Sequence, residues 1–530
     1  MIPLIVVLPL FFAFLFSTIT YLDINLNRVY KEGLFLGGIF SPLPIFAYNL
    51  DSLPLKTVLG GWSRISGIEI GIDGVNFFFL LATFIIFPLV AIYSLSHFSR
   101  SGENNGRASK DSKFCLVLLL YGGILGSFIT RDLFNFTVYL ELASIGAIIL
   151  VSSSDTNGAK LASFRYLMLY LLSSFFFIFS VGIIYVKTGY LNFYLIQQNL
   201  VMDTEMKVGI TIGFIALIMK AGIFPLHFWL PEAHSKADTS VSALLSGLTV
   251  KVPIFGMILF VRYTSIEFLS TPLIAVSFSS IFFGIFMAIF QTNVKKLLAY
   301  STVSQMGFVL IGISTLDIYA TGIYVIAHAM VKSALFLGIG VLVSIQGEKS
   351  IEKLTFNNRS FLMTTIILLS LGIGGISPFL GGYAKYNIMN GLSDWGVYLV
   401  YIGSIGTLTL FTRLNYDLFE FDPDKRIRFN VQELAPFALA LLTLVLGIYY
   451  LPKLKLIDII FIVIAVLVFS ALKYTEVLKW KIPRFYRENI EGLAKQINFY
   501  TAVFILINIL FLLFVVFPDY LGILYDLISF

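Results

Sequence analysis

Charged residues are scarce in this sequence. Asp, Glu, Lys and Arg make up only 12% of its 530 residues, whereas 58% are hydrophobic, and the mean hydropathy is +0.91. Soluble domains carry about 25% charged residues. The composition therefore excludes a soluble globular protein, and the net charge of +6 needs no nucleic-acid partner to explain it.

Residues that bind metals and cofactors are equally rare. Cys115 is the only cysteine, so the chain can form no internal disulfide and cannot by itself hold a cysteine-ligated iron–sulfur cluster. The four histidines lack the spacing of metal ligands, and neither a P-loop nor a glycine-rich dinucleotide motif is present. We therefore expect no metal, no cofactor and no redox catalysis in this chain.

Apolar segments long enough to cross a membrane recur along the whole chain. At about 20 residues per span, the sequence offers sixteen candidates. This predicts an all-α polytopic membrane protein, because a transmembrane β-barrel would show alternating segments of about 10 residues. The second candidate is interrupted by Pro42 and Pro44, and the first lacks a cleavage site, so we expect the first to be retained. The alternating segment at 60–73, GGWSRISGIEIGID, predicts a short extramembrane hairpin.

The basic residues predict an orientation for these spans. If the N-terminus lies outside, most of the 36 Lys and Arg residues fall in cytoplasmic loops, with groups near 100–113, 425–428 and 479–487. Such an excess of positive charge on one side is typical of cytoplasmic loops. We therefore expect the N-terminus to lie outside the cell membrane.

Four lysines and one acid lie inside apolar segments instead. They are Lys220 in ALIMKAG, Lys251 in LTVKVPIF, Lys332 in HAMVKSALF, Lys385 in GGYAKYNIM and Glu141 in FTVYLELASIGAIIL. A lysine at the centre of a span costs roughly 2.5–3.5 kcal/mol. One alternative is that these side chains extend to the membrane interface. Five such groups without a catalytic constellation favour a path for charge.

A buried lysine can take up and release a proton. Removal from water disfavours its charged form, whereas a nearby carboxylate favours it, and Glu141 is the candidate modulator of Lys220. His328 and Lys332 are four residues apart, hence on one helix face, where they could continue a proton wire. The alternative for His328 is a packed hydrogen-bonding group. His227 and His234 are candidate gating residues or structural ones.

Two prolines lie close to two of these lysines. Pro225 follows Lys220 by five residues, and Pro378 precedes Lys385 by seven. Proline breaks a helix, and membranes tolerate such breaks where they are buried in protein or line a hydrated cavity. The pattern predicts two discontinuous helices, as in transporters built from inverted repeats. Ordinary packing kinks are the alternative.

Several longer stretches resemble the antiporter-like subunit family. They are KAGIFPLHFWLPEAHSKADTSVSALLSG, NVKKLLAYSTVSQMGFVLIGI, HAMVKSALFLGIGVL, DLFNFTVYLELASI and SPFLGGYAK. This family comprises the large proton-pumping membrane subunits of respiratory complex I, the large Mrp cation/proton antiporter subunits and their counterparts in membrane-bound hydrogenases. Leu140 and Asp238 differ from residues common in the family, and Ser246 differs from the histidine common in complex I subunits. These differences favour the Mrp or hydrogenase branch.

The resemblance implies a fold and a set of roles. It implies about fourteen core helices, with N-terminal spans in 1–113, inverted five-helix repeats in 114–262 and 271–415, and extra C-terminal spans in 432–530. It implies a proton pathway through Glu141, Lys220, Lys251, His328, Lys332 and Lys385. Lys220 and Lys385 would lie at the two helix breaks.

The segment 474–498 predicts an amphipathic element at the membrane surface. Its apolar residues recur at near-helical spacing between basic ones, although Pro483 prevents one unbroken helix. Such an element could clamp a neighbouring subunit. An ordinary solvated connector is the alternative.

Together these features predict a proton- or cation/proton-translocating subunit of a multisubunit complex in a prokaryotic cell membrane. Its partners would be other membrane subunits, including a further antiporter-like subunit. In a redox-driven complex, soluble subunits would carry iron–sulfur clusters, flavin or a nickel–iron site; a Mrp-type Na⁺/H⁺ antiporter would have none. A free-standing solute carrier would need a polar pocket at the breaks, and four buried lysines disfavour a purely structural anchor.

Overall fold

The protein is a helical bundle with one small sheet. The computed structural model describes residues 1–22, 24, 26–98, 110–154, 156–420, 429–451, 455–475, 477–479 and 490–517. Among these residues, thirteen helices are long and apolar enough to cross a membrane. The predicted all-α polytopic membrane fold is confirmed. The division into two inverted repeats stays a prediction.

The N-terminal part contains four helices and a β-hairpin. The helices are α1 (Leu4–Tyr21), α2 (Arg28–Phe40), α3 (Pro42–Tyr48) and α4 (Phe77–Phe98). Strands β1 (Leu55–Val58) and β2 (Glu69–Ile72) pair antiparallel, with Leu55 opposite Ile72. The segment predicted as a hairpin, 60–73, therefore contains only the second strand. The first strand, LKTV, does not alternate between apolar and polar residues, so no strand period marks it in the sequence.

The hairpin is tied to the ends of neighbouring helices. Arg131 forms an ion pair with Asp73 at 3.0 Å, and Asn192 donates a hydrogen bond to Glu69 Oε2 at 2.9 Å. Both Arg131 and Glu69 are buried. The hairpin thus closes one end of the bundle.

The first half of the central bundle is built from eight helices. They are α5 (Lys110–Ile129), α6 (Leu133–Ser152), α7 (Ala159–Thr188), α8 (Phe193–Gln198), α9 (Thr204–Lys220), α10 (Trp229–Lys236), α11 (Thr239–Leu244) and α12 (Lys251–Tyr263). A π-helical turn over Leu245–Thr249 joins α11 to α12, so that both belong to one span.

The second half and the C-terminal part contain nine helices. They are α13 (Ser270–Ile289), α14 (Val294–Ser314), α15 (Ile318–Gln346), α16 (Ser360–Gly374), α17 (Leu380–Ile388), α18 (Asp394–Leu418), α19 (Leu434–Tyr450), α20 (Leu456–Tyr474) and α21 (Ile490–Val516). Helix α20 packs against α18, whereas α21 packs against α7 and α9. Within the predicted amphipathic segment 474–498, residues 476 and 480–489 lie outside the described residues.

Each of the sixteen apolar segments contains helix, but three are interrupted. The second is divided into α2 and α3, the seventh ends as the 17-residue α9, and the twelfth ends as the 15-residue α16. At 1.5 Å per residue, α16 is only about 22 Å long, compared with a hydrocarbon core of about 30 Å. These helices need the segments that follow them to complete a crossing.

Helices α14 and α15 form the centre of the bundle. The most apolar stretch of each is entirely buried within the protein. Helix α14 packs against α13, and α15 contacts α4, α11, α16, α17 and α19. Polar side chains on α14 and α15 therefore find their partners within the chain rather than in lipid.

Candidate functional site

Glu141 and Lys220 form an ion pair between α6 and α9. Lys220 Nζ lies 2.9 Å from Glu141 Oε1 and 2.8 Å from Ser174 Oγ, and Ser174 Oγ lies 2.7 Å from the same carboxylate oxygen. The Lys220 side chain is completely buried, whereas that of Glu141 is 29% exposed. An acid at the bundle surface therefore holds a lysine in the interior.

Lys220 is the last residue of α9, where the first interruption begins. Gly222 has a φ of 69°, which turns the chain out of the helix, and Pro225 follows before α10 begins. A helix end leaves carbonyl groups without partners. Here Tyr170 donates its hydroxyl hydrogen to the Lys220 carbonyl at 2.9 Å, and Trp229 donates to the Met219 carbonyl at 3.0 Å. The interruption is thus fixed by aromatic side chains rather than left loose.

Lys251 and His328 form a second cluster between α12 and α15. Lys251 Nζ lies 2.7 Å from His328 Nδ1 and donates to the Ser246 carbonyl at 2.5 Å. A π-helical turn frees backbone carbonyls, and Ser246 lies within such a turn. His328 Nε2 is buried and has no hydrogen-bond partner in the part of the chain that the structure describes. His328 Nε2 can therefore exchange a proton without breaking a hydrogen bond to another described residue.

Lys332 lies one turn further along α15. Its ammonium donates to the Leu298 carbonyl and to Ser301 Oγ, both at 2.6 Å, and lies 5.5 Å from the centre of the Phe336 ring. The side chain is completely buried. Backbone and hydroxyl dipoles, rather than an opposite charge, hold it in place.

Lys385 lies on α17, beside the second interruption. It donates to the Gly374 carbonyl at 2.9 Å and lies 4.5 Å from the centre of the Phe308 ring. Gly375 has a φ of 88°, and a Cβ atom there would lie 2.4 Å from Lys385 Cδ. The interruption, which includes Pro378, therefore closes around the lysine stem.

Of the four lysines, only Lys220 has an acidic partner. Lys251, Lys332 and Lys385 form no ion pair with any carboxylate among the described residues. An uncompensated ammonium is costly inside protein, whereas a neutral amine is not. The arrangement therefore favours lysines that change protonation state.

Gln305 and Tyr324 form a buried hydrogen-bonded pair near these clusters, and neither was identified from the sequence. Tyr324 donates to Gln305 Oε1 at 2.7 Å, and both side chains are buried. On α15, Tyr324 lies four residues before His328, so the two share a face. On α14, Gln305 lies three residues before Phe308, which contacts Lys385. The spacing from His328 would have indicated Tyr324.

The two candidate gating histidines lie among aromatic rings. His234 stacks on Phe336 at 4.7 Å between ring centres, and His227 packs against Phe283 at 4.9 Å. Neither ring nitrogen of His234 has a hydrogen-bond partner within the described residues. Phe336 also contacts Lys332, so a single aromatic ring separates His234 from Lys332. Among all the residues that the structure describes, no group of three or more His, Cys, Asp or Glu side chains is placed to hold a metal ion.

A further buried lysine, Lys295, also escaped the sequence reasoning. It lies at the start of α14 and donates to the Ala237 carbonyl at 2.8 Å, just beyond the end of α10. In the sequence it belongs to the pair of lysines in NVKKLL, which resembles an ordinary loop boundary. Lys295 holds the second half of the interrupted seventh span.

Buried lysines beside two interrupted helices define this protein as a polytopic membrane protein with a polar interior. Residues 130–412, more than half of the chain, match the family described as NADH:quinone oxidoreductase/Mrp antiporter, TM. The chain belongs to this family. The resemblance to antiporter-like subunits inferred from the sequence motifs is confirmed.

Two curated relatives have similar identities. Over 404 residues the chain is 28% identical to the D subunit of the Na(+)/H(+) antiporter of Bacillus subtilis (strain 168), covering 73% of this chain and 79% of the relative. Over 435 residues it is 28% identical to the N subunit of NADH-quinone oxidoreductase of Desulforudis audaxviator (strain MP104C). This match covers 78% of this chain and 84% of the relative. Each relative is covered over most of its length.

Solved structures show the same fold. A chain of the membrane-bound sulfane sulfur reductase, an archaeal respiratory membrane complex, matches with a TM-score of 0.75 at 24% identity, covering 88% of this chain and 97% of that chain. A chain of the Mrp complex from Dietzia sp. DQ12-45-1b matches with a TM-score of 0.76 at 20% identity. This match covers 90% of this chain and 98% of that chain. The chain is thus an antiporter-like membrane subunit.

Proposed function

We propose that this chain carries protons across the membrane along its row of buried lysines. The observation that carries the proposal is the pair of Lys220 and Glu141, 2.9 Å apart, in which only the acid reaches the bundle surface. While the carboxylate is charged and close, it favours the ammonium form of Lys220. When the carboxylate is neutralised or moves away, the buried ammonium loses its compensation and gives up a proton.

The proton would pass from Lys220 into the centre of the bundle. Lys251 and His328, joined by a 2.7 Å hydrogen bond, supply an amine and an imidazole that can exchange a proton. Lys332 lies on the same helix face as His328, and Lys385 lies at the second interruption. In this proposal Lys251, His328 and Lys332 relay the proton and Lys385 releases it. Water entering the two interruptions would join the clusters.

His227 and His234 have a subordinate place in this proposal. His234 lies against Phe336, which contacts Lys332, and so could change the access of water to that lysine. His227 packs among aromatic rings at the first interruption. We propose gating for these two histidines rather than direct proton transfer.

We propose that the chain works inside a multisubunit complex of a prokaryotic cell membrane, with its N-terminus outside. The sulfane sulfur reductase and Mrp structures are both complexes, which supports neighbouring membrane subunits. We propose that one of these neighbours is a further antiporter-like subunit. The exposed part of Glu141 would be the point at which a neighbour influences Lys220. A neighbouring charge could thereby drive loading of the pathway.

Two energy sources are supported by different relatives. The NADH-quinone oxidoreductase relative and the sulfane sulfur reductase structure support a redox-driven complex, whose soluble subunits would hold iron–sulfur clusters, flavin or a nickel–iron site. We propose this setting first. The Na(+)/H(+) antiporter relative supports the second candidate, a Mrp-type exchange of Na⁺ for H⁺.

The proton pathway is tested by replacing Lys220 in the assembled complex. Proton translocation is measured by fluorescence quenching of a pH-sensitive dye in membrane vesicles, driven by the electron donor or by a Na⁺ pulse. We expect Lys220→Ala to abolish translocation. The control is Lys187→Ala, which removes a lysine paired with Asp203 at the surface of α7 and should have no effect. Normal translocation by assembled Lys220→Ala would disprove the pathway.

The energy source is tested by an optical spectrum of the intact complex, purified in mild detergent. Absorbance of iron–sulfur clusters or flavin in near-stoichiometric amount would support the redox-driven setting. A colourless preparation that still contains all membrane subunits would support cation exchange instead.

A further inference from the structure

Helix α20 carries a buried acid that belongs to the second interruption. Most residues of this helix are exposed or half-buried, and three are buried: Asp458, Ala465 and Phe469. Asp458 Oδ2 accepts a hydrogen bond from the Ser377 backbone N–H at 3.3 Å and another from the Lys455 N–H at 3.2 Å. Asp458 lies beyond residues 130–412, which match the family. A C-terminal helix therefore contributes an acid to the interior of the bundle.

Ser377 lies in the short segment that separates α16 from α17. The carbonyl of Gly374, the last residue of α16 before this segment, accepts the hydrogen bond from Lys385. At the second interruption, Asp458 thus binds the backbone N–H of Ser377, and Lys385 binds the backbone carbonyl of Gly374. If the segment moved, the carbonyl that holds the lysine would move with it.

Helix α19 limits the same segment from another side. A Cβ atom on Gly447 would lie 1.9 Å from the Pro378 carbonyl oxygen, so the two backbones are in close contact. Helix α17 packs against α19, and α20 reaches the segment through Asp458. The C-terminal helices therefore enclose the interruption.

The position of Asp458 also suits the helix dipoles. Its carboxylate lies in the first turn of α20 and beside the segment that leads into α17. Negative charge is favourable at helix N-termini, and positive charge at C-termini. Lys385 lies in the last turn of the nine-residue α17. Asp458 therefore complements the start of α20, and Lys385 complements the end of α17.

The first interruption is held differently. There the Phe224 N–H donates to the hydroxyl of Ser280 on α13 at 3.2 Å, and the acid Glu141 binds the lysine itself. In the second interruption the acid binds the backbone segment, and a carbonyl binds the lysine. The two interruptions thus use their acids for different purposes.

We propose that Asp458 is a positioning residue for Lys385. By holding the Ser377 N–H, it fixes the segment that directly follows Gly374, whose carbonyl accepts the hydrogen bond from the Lys385 ammonium. This inference rests on the proposed function, in which Lys385 releases the proton. The pair α19–α20 is therefore part of the translocation machinery and not only an additional membrane anchor.

The test compares three substitutions of Asp458 in the assembled complex in membrane vesicles. Asp458→Asn keeps an oxygen at the right place to accept the two hydrogen bonds, and we expect at least half of the normal translocation rate. Asp458→Ala removes the acceptor and should lower the rate at least fivefold, with an unchanged amount of complex and an unchanged half-saturating substrate concentration. Asp458→Ser, whose hydroxyl is too short to reach Ser377, should lower it at least threefold.

The matched control is Asp203→Ala. Asp203 also accepts a backbone N–H at a helix start, from Met206 at 2.9 Å, but lies at the surface. We expect its translocation rate to remain normal. A reduced rate in this control equal to that of Asp458→Ala would reveal a general effect of helix capping and overturn the inference.

Other outcomes would also overturn it. Normal rates in Asp458→Ala and Asp458→Ser would show that the hydrogen bonds are not needed. An Asp458→Asn variant as impaired as Asp458→Ala would mean that the charge itself is required, and loss of assembly in Asp458→Asn would mean a folding role. Lys385→Ala is measured in parallel. If Lys385→Ala translocates protons at the normal rate, the proposed pathway is wrong. If Lys385→Ala is inactive but Asp458→Ala translocates at the normal rate, only the positioning role of Asp458 is wrong.

Discussion

Glu141 and Lys220 are joined by a 2.9 Å ion pair that crosses from the surface of the bundle to its interior. The lysine side chain has no exposed area, whereas 29% of the acid is exposed. A change of charge outside the bundle can therefore reach a buried ammonium through a single contact.

Substituting Glu141 tests this coupling. Glu141→Gln keeps the shape and an oxygen near Lys220 but removes the negative charge, so the ammonium form loses its compensation. We expect proton translocation in vesicles to fall more than tenfold. Glu205→Gln, which neutralises an exposed acid paired with Lys187, serves as the control and should leave the rate unchanged. Equal rates in both variants would contradict a role for the Glu141 charge.

Ser174 is expected to tune the same pair. Its hydroxyl oxygen lies 2.8 Å from Lys220 Nζ and 2.7 Å from Glu141 Oε1. A hydrogen bond to a charged group contributes about 1.5–3 kcal/mol, so Ser174→Ala should lower the translocation rate by about tenfold or more. Ser180→Ala on the same helix removes a buried hydroxyl that donates to the Gly209 carbonyl, and should lower the rate much less. A similar loss in both variants would indicate a general packing defect of α7.

Tyr324 is expected to link the central clusters. Tyr324→Phe removes the 2.7 Å hydrogen bond to Gln305 while keeping the ring. We expect slower translocation in vesicles and a loss of about 0.5–1.5 kcal/mol in the free energy of unfolding, followed by chemical denaturation. Tyr121→Phe is the control, because its buried hydroxyl has no hydrogen-bond partner among the described residues. If Tyr324→Phe translocates as fast as Tyr121→Phe, the link is not part of the pathway.

Gly375 is expected to tolerate no side chain. Its φ of 88° is strained for alanine by roughly 1–3 kcal/mol, and a Cβ would also displace the Lys385 stem. Gly189 has a similar φ of 77° but open space around it, so Gly189→Ala carries the strain without the clash. We expect both variants to melt at lower temperature and only Gly375→Ala to lose translocation. Full activity of Gly375→Ala would show that Lys385 can move freely.

The sequence predicts the membrane fold because the length of an apolar segment determines whether it can cross a bilayer. It also indicates Lys220 and Lys385, since a charge in an apolar context is costly and therefore visible. What hydropathy does not show is where a helix stops. Pro225 and Pro378 indicate the two interruptions, but the residues at which α9 and α16 end follow from the backbone at Gly222 and Gly375, where the chain turns away.

The partners of the lysines were less predictable. Ser174 and Gln305 resemble many other polar residues of membrane helices, and only the packing of different helices identifies them. Asp458 was invisible for the same reason, because it lies 73 residues after Lys385 in sequence and meets the second interruption only in the folded chain. Such contacts depend on helix packing, which one sequence does not specify.

The absence of acids beside Lys251, Lys332 and Lys385 within the described residues has a consequence for how protons would move. Like charges repel strongly in a medium of low dielectric constant, so a proton on one of these amines disfavours a proton on the next. The sites would then not fill independently, and their titrations would be coupled. A proton that arrives on one of these lysines would therefore favour, by electrostatic repulsion, release of the proton from the next lysine along the pathway.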